Sequence, residues 1–186
     1  MTKIINALDK FTELLGRTLA WASVAIMLIT FLVVVLRYGL NSGHFGIGSW
    51  QVSSIALQEL VIYCHAILFM LASGYTLKHN GHVRVDVFYR DFSTSRKAWV
   101  NLFGTLFLLF PMCGFILYVS LDFVSFSWSI QERSSEAEGL PYLFLLKALI
   151  PTMAALLLLQ GCTEVLRNIA ILRGLISDSQ EESELI

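Results

Sequence analysis

The chain has 186 residues, of which 56% are hydrophobic and 15% charged, and its formal net charge is −1. Soluble domains carry about 25% charged residues, so this chain lacks the polar groups to cover a soluble surface. The small net charge gives no reason to expect a nucleic-acid partner. Its three cysteines have no metal-ligand spacing. The composition therefore predicts an integral membrane protein.

Four apolar runs are long enough to cross a bilayer, whose hydrocarbon core needs about 20 helical residues. They cover residues 19–36, 56–77, 99–121 and 142–166. All four should be helices, because a lone strand would leave its backbone groups unpaired in lipid. Pro111 and Pro151 lie inside the last two runs, where neighbouring helices make a kink tolerable. We therefore predict an all-α integral membrane protein with four transmembrane helices in a single domain, residues 1–186.

Lysine and arginine predict the orientation of these helices. The N-terminal segment, the second loop and the C-terminal segment contain Lys3, Lys10, Arg17, Lys78, Arg84, Arg90, Arg96, Lys97, Arg167 and Arg173. The other two loops contain only Arg37 and Arg133, with Lys147 just inside the fourth run. By the positive-inside rule, both termini and the second loop are expected in the cytoplasm. The acidic loop at 122–141 is then expected on the outer side.

Residues 1–17 have the pattern of an amphipathic helix lying on the membrane surface. Ile4, Leu8, Phe11 and Leu15 recur at helical spacing, while the basic residues fall largely on another face. The alternative is a simple extension of the first crossing into water. Residues 177–186 are acidic and polar, and we expect a frayed tail there.

The stretch HNGHVRVDVFYR, residues 79–90, interrupts the apolar sequence. Its alternation suits a strand, but Val85, Phe88, Tyr89 and Phe92 also form a helical stripe. A lone strand has no evident partner, so we favour a second short helix on the membrane surface. Asn80-Gly81 should end the second crossing, and Ser93 or Ser95 could cap the third.

Ionisable residues within the crossings are functional candidates. Arg37 and Glu59 lie at similar depth on successive helices, which suggests an ion pair between them or with a partner subunit. A proton relay through Glu59 is the alternative, but that role needs a deeper carboxylate. His65 is the one histidine well inside a crossing, and we expect it to form an interhelical hydrogen bond.

Other polar residues within the crossings suggest contacts between helices or subunits. They are Gln58, Asn101, Gln160, Thr163 and Glu164. Lys147 can extend its ammonium group outward. The chain contains no catalytic, phosphate-binding or zinc motif, so we assign no catalytic, substrate-binding or metal-binding residue and expect no cofactor and no enzymatic activity. Physical reasoning alone leaves a transporter subunit, a membrane anchor of a redox enzyme and a small exporter as open alternatives.

Several motifs together resemble a known family. In chain order they read VVLRYGLN, LQELVIY, GHVRVDVFYR, SRKAWVNLFGTLFLLFP, GLPYLFLLKALIP and LLLLQGCTEVLR. Their order and spacing, from about Arg37 to Arg167, resemble the small membrane (Q) subunit of tripartite ATP-independent periplasmic (TRAP) transporters, the DctQ-like family. The segment GHVRVD is the most specific of these motifs.

This resemblance implies an inner-membrane scaffold for a large subunit (M) that carries an organic anion with sodium. A periplasmic binding protein (P) would deliver the substrate, a carboxylate or sugar acid. Membrane lipids complete the expected partners. The structural or subunit-interface candidates are Arg37, Glu59, His82, Arg84, Asp86, Lys147, Gln160 and Glu164.

Overall fold

The computed structural model describes residues 2–40, 43–47, 50–82, 89 and 91–175. Four helical spans in this part of the chain are long and apolar enough to cross a membrane: Ile5–Gly39, Ser54–Lys78, Thr94–Ser129 and Leu143–Leu172. The predicted all-α membrane fold with four crossings is therefore confirmed. Each span is longer than its apolar run, because helical hydrogen bonding continues through the polar residues at its ends.

The helices and strands follow one another in a simple order. The elements are α1 (Thr2–Val34) with a π-helical turn (Val35–Gly39), β1 (His44–Ile47), β2 (Trp50–Ser53), α2 (Ser54–Leu71), α3 (Ser73–Lys78), α4 (Thr94–Gly104) with a second π-helical turn (Thr105–Leu109), α5 (Phe110–Ser129) and α6 (Leu143–Leu172). The second crossing thus consists of α2 and α3, and the third of α4, the second π turn and α5.

The N-terminal segment continues into the first crossing without a break, because α1 is a single helix. This continuity agrees with the alternative prediction, in which residues 1–17 simply extend the first crossing. The buried face carries Ile5, Asp9 and Thr12, whereas Phe11 of the predicted apolar stripe is 48% exposed. A location of residues 1–17 on the membrane surface stays a prediction.

A short β-hairpin precedes α2, and the sequence analysis did not anticipate it. Strands β1 and β2 pair antiparallel, with His44 opposite Ser53 and Ile47 opposite Trp50. Ser53 then begins the next helix, because its hydroxyl oxygen accepts a hydrogen bond from the Ile55 N–H at 3.0 Å. The hairpin and the second crossing therefore meet at one capping residue.

Three helices end in the same backbone arrangement. Asn80 adopts a left-handed conformation (φ 52°) after α3, and the Gly81 N–H bonds the Thr76 carbonyl at 2.8 Å. The prediction that Asn80-Gly81 ends the second crossing is confirmed. Gln131 (φ 47°) and Gly174 (φ 69°) occupy the matching position after α5 and α6.

Two sequence interpretations fall largely outside the described residues. The predicted surface helix lies in the stretch 79–90, of which residues 83–88 and 90 are outside the described part of the chain, and the predicted tail, residues 177–186, is wholly outside it. Ser93 does occupy the capping position of α4 with an extended backbone, but its side chain accepts no capping hydrogen bond.

A π-helical turn accompanies the proline of the third crossing. Pro111 has no N–H and its ring clashes with the carbonyl of a preceding helical turn. Immediately upstream, the chain widens into the turn Thr105–Leu109, where the Phe110 N–H bonds the Thr105 carbonyl. The wider turn is one of the known ways in which a helix accommodates such a defect.

Contacts divide the chain into two compact units. The first consists of Met1–Leu15, Ser73–Leu117 and Met153–Ile186, and the second of Gly16–Ala72 and Tyr118–Thr152. Each crossing contributes to both units, so each unit contains parts of several helices.

Small residues permit close packing at some positions only. In the first unit, a Cβ atom on Gly161 would lie 2.7 Å from side-chain atoms of both Leu109 and Phe110, so these helices touch at the glycine. Ala154 is fully buried. By contrast, no described atom lies within 4 Å of a Cβ built on Gly114. Only some of the small residues in the crossings therefore mediate contacts within the chain.

Replacing Gly161 by alanine should destabilise the protein, because the added methyl group must displace Leu109 and the Phe110 ring. We expect a loss of about 1–3 kcal/mol, measured as a lower melting temperature of the detergent-solubilised protein. The matched control is Gly114→Ala, which adds the same methyl group in open space and should leave stability unchanged or slightly raised. Equal melting temperatures for the two variants would contradict the packing assigned to Gly161.

Candidate scaffold and interface sites

A buried polar cluster occupies the first unit, and we call it the first-unit cluster: Asp9, Thr12, Glu13, Lys78, His79, Gln160, Glu164 and Arg167. At its centre, Arg167 Nη2 donates to Asp9 Oδ2 at 2.6 Å, and Nη1 of the same guanidinium donates to Glu164 Oε1 at 3.0 Å. The side chains of Arg167 and Asp9 are only 8% and 12% exposed. This pair joins α1 to α6.

Gln160 links the same two helices a second time. Its amide oxygen accepts a hydrogen bond from Thr12 Oγ1 at 3.0 Å, and its amide nitrogen lies 3.5 Å from Asp9 Oδ1. Gln160 is 1% exposed, so these contacts satisfy a polar group that has no access to water. The sequence analysis proposed Gln160 and Glu164 for polar contacts; Gln160 makes them between helices, and Glu164 pairs with Arg167 on its own helix.

A second carboxylate connects α1 to the end of α3. Glu13 Oε2 lies 2.8 Å from Lys78 Nζ and 2.9 Å from His79 Nε2. The Lys78 ammonium also lies 3.5 Å from the Asp9 backbone carbonyl, and its side chain is 9% exposed. A lysine buried in this way needs a counter-charge, since an unpaired buried ammonium is strongly unfavourable.

Sequence reasoning missed most of this cluster. It considered the basic and apolar residues of segment 1–17 but not the two acids. Asp9 and Glu13 are spaced four residues apart and therefore lie on one helical face. That acidic pair near the start of an apolar helix was the available signal. Its basic partners come from positions 65 to 158 residues away, which only the fold brings together.

In the second unit, Glu59 binds the loop between α5 and α6. One carboxylate oxygen accepts a hydrogen bond from the Ser134 hydroxyl, and the other accepts from the Leu140 N–H at 2.6 Å. Gly139 lies against the same carboxylate, since a Cβ atom there would be 2.7 Å from Glu59 Oε1. Both carboxylate oxygens of Glu59 therefore accept hydrogen bonds from this loop.

The predicted ion pair between Arg37 and Glu59 is not formed. Both Glu59 oxygens accept hydrogen bonds from the loop, and Arg37 is exposed, with no ion pair or hydrogen bond to any described residue. The other possibility, that Arg37 pairs with a partner subunit, stays a prediction.

Lys147 fastens the same loop from the fourth crossing. Its ammonium group binds Glu132 Oε2 at 2.5 Å and lies 4.3 Å from the centre of the Phe123 ring. Ser127 Oγ donates to the same Glu132 oxygen at 2.6 Å. Hydrogen bonds from Lys147 and Ser127 lower the pKa of Glu132 below its usual value of 4.5. The Lys147 ammonium group, which was expected to extend outward, therefore binds the Glu132 carboxylate of the loop.

Glu138 connects the loop to the β-hairpin. Its Oε1 lies 3.3 Å from His44 Nε2. Hydrogen bonds from Ser53 and His44 lower the pKa of Glu138 below 4.5. Both the start of α2 and the hairpin thus contact the loop through one exposed acid.

The remaining candidates have different surroundings. His65 is exposed. Its ring centre lies 4.6 Å from that of Phe69, with the two ring planes tilted by 38°, and it forms no hydrogen bond to any described residue, so the expected interhelical bond is not formed. His82 is exposed. Arg84 and Asp86 lie outside the described residues. No group of three or more potential metal ligands occurs in the part of the chain that was described.

Arg167→Ala should strongly destabilise the protein, because it leaves the Asp9 carboxylate buried without its cation. Removing one partner of a buried pair costs about 3–5 kcal/mol. The measurement is the melting temperature of purified protein, compared with Arg173→Ala, which removes an exposed arginine from the end of the same helix. Adding Asp9→Asn to Arg167→Ala should restore part of the loss. Additive effects of the two substitutions would show that the pair is not coupled.

The Glu132 contacts should stabilise the protein above pH 4.5 and lose that effect in acid. Because folding lowers the pKa of this carboxyl, its contribution is complete above the unfolded value and disappears as the pH falls through the lower folded value. The melting temperature of Glu132→Gln should therefore lie below that of the wild type at pH 7, with a difference that shrinks below pH 4.5. Glu136→Gln, an exposed acid of the same loop, should show no such trend. A difference independent of pH would refute the assignment.

The family model described as "Tripartite ATP-independent periplasmic transporters, DctQ component" matches residues 26–170, which is most of the chain. Searches of curated proteins and of solved structures returned no match. The family is a component of a membrane transporter and not an enzyme, which decides against the redox-anchor alternative. The chain belongs to the DctQ family, the small membrane subunits of TRAP transporters.

Proposed function

We propose that this subunit is a stationary scaffold for the large M subunit during sodium-coupled uptake of an organic anion. The substrate is a carboxylate or sugar acid, and a periplasmic binding protein delivers it. The complex lies in the bacterial inner membrane, with both termini of this chain in the cytoplasm. The resemblance of the motifs and the distribution of lysine and arginine support this proposal.

The use of charge within the chain is the observation that best supports a scaffold. In the first-unit cluster, Arg167 and Lys78 are each bound to a carboxylate of α1. In the second unit, Glu59 and Lys147 both bind the loop between α5 and α6. These groups fix helices and a loop to one another. Charges that carry an ion or proton must exchange partners, which such contacts do not favour.

The exposed apolar surface supports a role beside lipid and a second protein. Large side chains with high exposure include Trp21 (74%), Leu108 (74%) and Tyr118 (76%). Residues of this kind are stable only against hydrocarbon or another protein surface. The apolar helices thus have exposed faces that can contact both lipid and a second protein. A subunit that supports a larger membrane protein requires both kinds of contact.

The candidates for contact with the large subunit are Arg37 and His82, which have no ion pair or hydrogen bond to a described residue, and Arg84 and Asp86, which lie outside the described residues. Arg37 is exposed near the end of the first crossing. His82 is exposed just after α3, and Arg84 and Asp86 follow it in sequence. A basic segment between two crossings could bond to the large subunit near the cytoplasmic face. We retain Arg84 and Asp86 as the leading candidates, because they belong to the most specific motif.

Single charge reversals, Arg84→Glu and Asp86→Lys, should lower the yield of complex with the large subunit. The readouts are co-purification of the two membrane subunits after co-expression and sodium-driven uptake in proteoliposomes. Both should fall in parallel, because the scaffold acts through assembly. Arg96→Glu is the matched control, because Arg96 is an exposed arginine in the first turn of α4, which follows this segment in sequence.

Two outcomes would contradict this proposal. Uptake by the present chain alone in liposomes would show an autonomous transporter. Unchanged yield and uptake in both charge-reversal variants would remove Arg84 and Asp86 from the interface.

A further inference from the structure

An apolar groove runs along the third crossing within the first unit, and we call it the α4 groove. Its volume is about 460 Å³, and it is lined by residues of α4 and the following π turn: Trp99, Val100, Phe103, Gly104, Phe107 and Leu108. The large side chains of this lining are 46–74% exposed. The opposite face of α4 is buried at Ala98 and Leu102. The α4 groove therefore faces away from the interior of the first unit.

Aromatic rings form one side of the α4 groove, and a glycine leaves its floor open. Trp99, Phe103 and Phe107 stack, with successive ring centres 5.6 and 5.8 Å apart. The neighbouring row begins at Val100 and reaches Gly104 four residues later. A Cβ atom built on Gly104 would lie in open space within the described part of the chain. The α4 groove is thus a narrow channel between an aromatic row and an aliphatic row.

The shape of the α4 groove suits a single hydrocarbon chain better than a transmembrane helix. Helices that pack closely in a membrane use small residues, which let the two backbones approach each other. Here the rings of Trp99, Phe103 and Phe107 project beside Gly104 and keep a second helix backbone away from it. An acyl chain is much narrower than a helix and therefore fits between the two rows.

The length of the α4 groove matches one leaflet of a bilayer. From Trp99 to Leu108 a helix advances about 14 Å, and half of the hydrocarbon core is about 15 Å thick. Residues 98–121 contain no charged side chain, and two basic residues directly precede them. The groove therefore begins near the lipid headgroups and extends toward the middle of the bilayer without meeting a charge.

A lysine lies at the headgroup end of the α4 groove. Lys97 precedes Val100 by three residues and lies on the same side of α4. Its ammonium group is 5.6 Å from the centre of the Tyr89 ring, and the Tyr89 hydroxyl donates to Asn101 Oδ1 at 3.1 Å. Lys97 forms no hydrogen bond or ion pair with a described residue. Since an ammonium group has three donors, it can bind a phosphate oxygen here.

The surrounding charges favour a headgroup with a net negative charge. Residues 84–97 contain four basic residues and two acidic ones, so cations are in excess at this end of the groove. Among the other described acids of the first unit, Asp9, Glu13 and Glu164 are each already bound to a cation. A zwitterionic headgroup leaves the excess of positive charge unchanged, whereas an anionic headgroup compensates it.

We propose that the α4 groove binds an acyl chain of an anionic phospholipid, whose phosphate is bound by Lys97. The chain lies along the stacked rings and over Gly104, in the leaflet where the third crossing begins. This inference depends on the four crossings alone. It can therefore fail while the proposed transport function stands, and the reverse is also true.

The test is native mass spectrometry of the full-length protein, purified with whatever partners accompany it. Delipidated protein is incubated with mixed vesicles of phosphatidylethanolamine and phosphatidylglycerol, and the retained lipids are identified. Wild type should retain phosphatidylglycerol in preference. Gly104→Leu should lower its occupancy, because the added side chain fills the groove. Lys97→Ala should lower it about tenfold, as expected from the loss of a charge-assisted hydrogen bond.

Matched variants separate lipid binding from folding. Gly114→Leu adds the same side chain in open space on α5, outside the lining of the α4 groove, and should keep the lipid. Lys97→Arg keeps the positive charge and should keep the lipid as well. Melting temperatures no lower than that of the wild type would show that Gly104→Leu and Lys97→Ala are folded.

Three results would overturn the proposal. Equal retention of phosphatidylglycerol by wild type and folded Gly104→Leu would exclude the groove as the site of the acyl chain. Equal retention of the two phospholipids by the wild type would exclude selection by charge. Loss of a co-purified large subunit from Gly104→Leu, with lipid retention unchanged, would show that a helix of that subunit occupies the groove instead.

Discussion

The ion pair between Asp9 and Arg167 is the contact on which the first unit depends. It joins α1 and α6 across 158 sequence positions, and both side chains are buried. A buried pair of this kind contributes modest net stability when intact, but a lone buried charge is very costly. The remaining groups of the cluster satisfy the other donors and acceptors around it. This pattern favours one arrangement of the helices over alternatives in which either charge would lack a partner.

The sequence predicted the crossings well because hydrocarbon imposes a strict requirement on length and polarity. All four runs correspond to helical spans, and Asn80-Gly81 ends α3 as expected. The helix boundaries were predicted less well, because polar residues continue a helix when other parts of the protein bond them. α1 is the clearest example, since Asp9 and Thr12 form its buried face.

Pairing between distant residues could not be predicted from spacing. Arg37 and Glu59 lie at similar depth, yet Glu59 binds the Leu140 N–H of a loop 81 positions later. A comparison of charged residues does not consider backbone groups, so Arg37, the partner predicted by charge, was wrong. The prediction for His65 was wrong for a related reason: a histidine within a crossing was expected to face another helix, whereas this one is exposed.

The contact between Gly139 and Glu59 has a consequence for how such chains can change. A Cβ atom at position 139 would lie within 2.7 Å of both the Ser134 side chain and the Glu59 carboxylate, so these groups would have to move. That carboxylate also needs the Ser134 hydroxyl and the Leu140 N–H at fixed positions. Glu59, Gly139 and the spacing between Ser134 and Leu140 therefore depend on one another. Related chains should either preserve all three together or exchange them as a set for a different way of closing the loop.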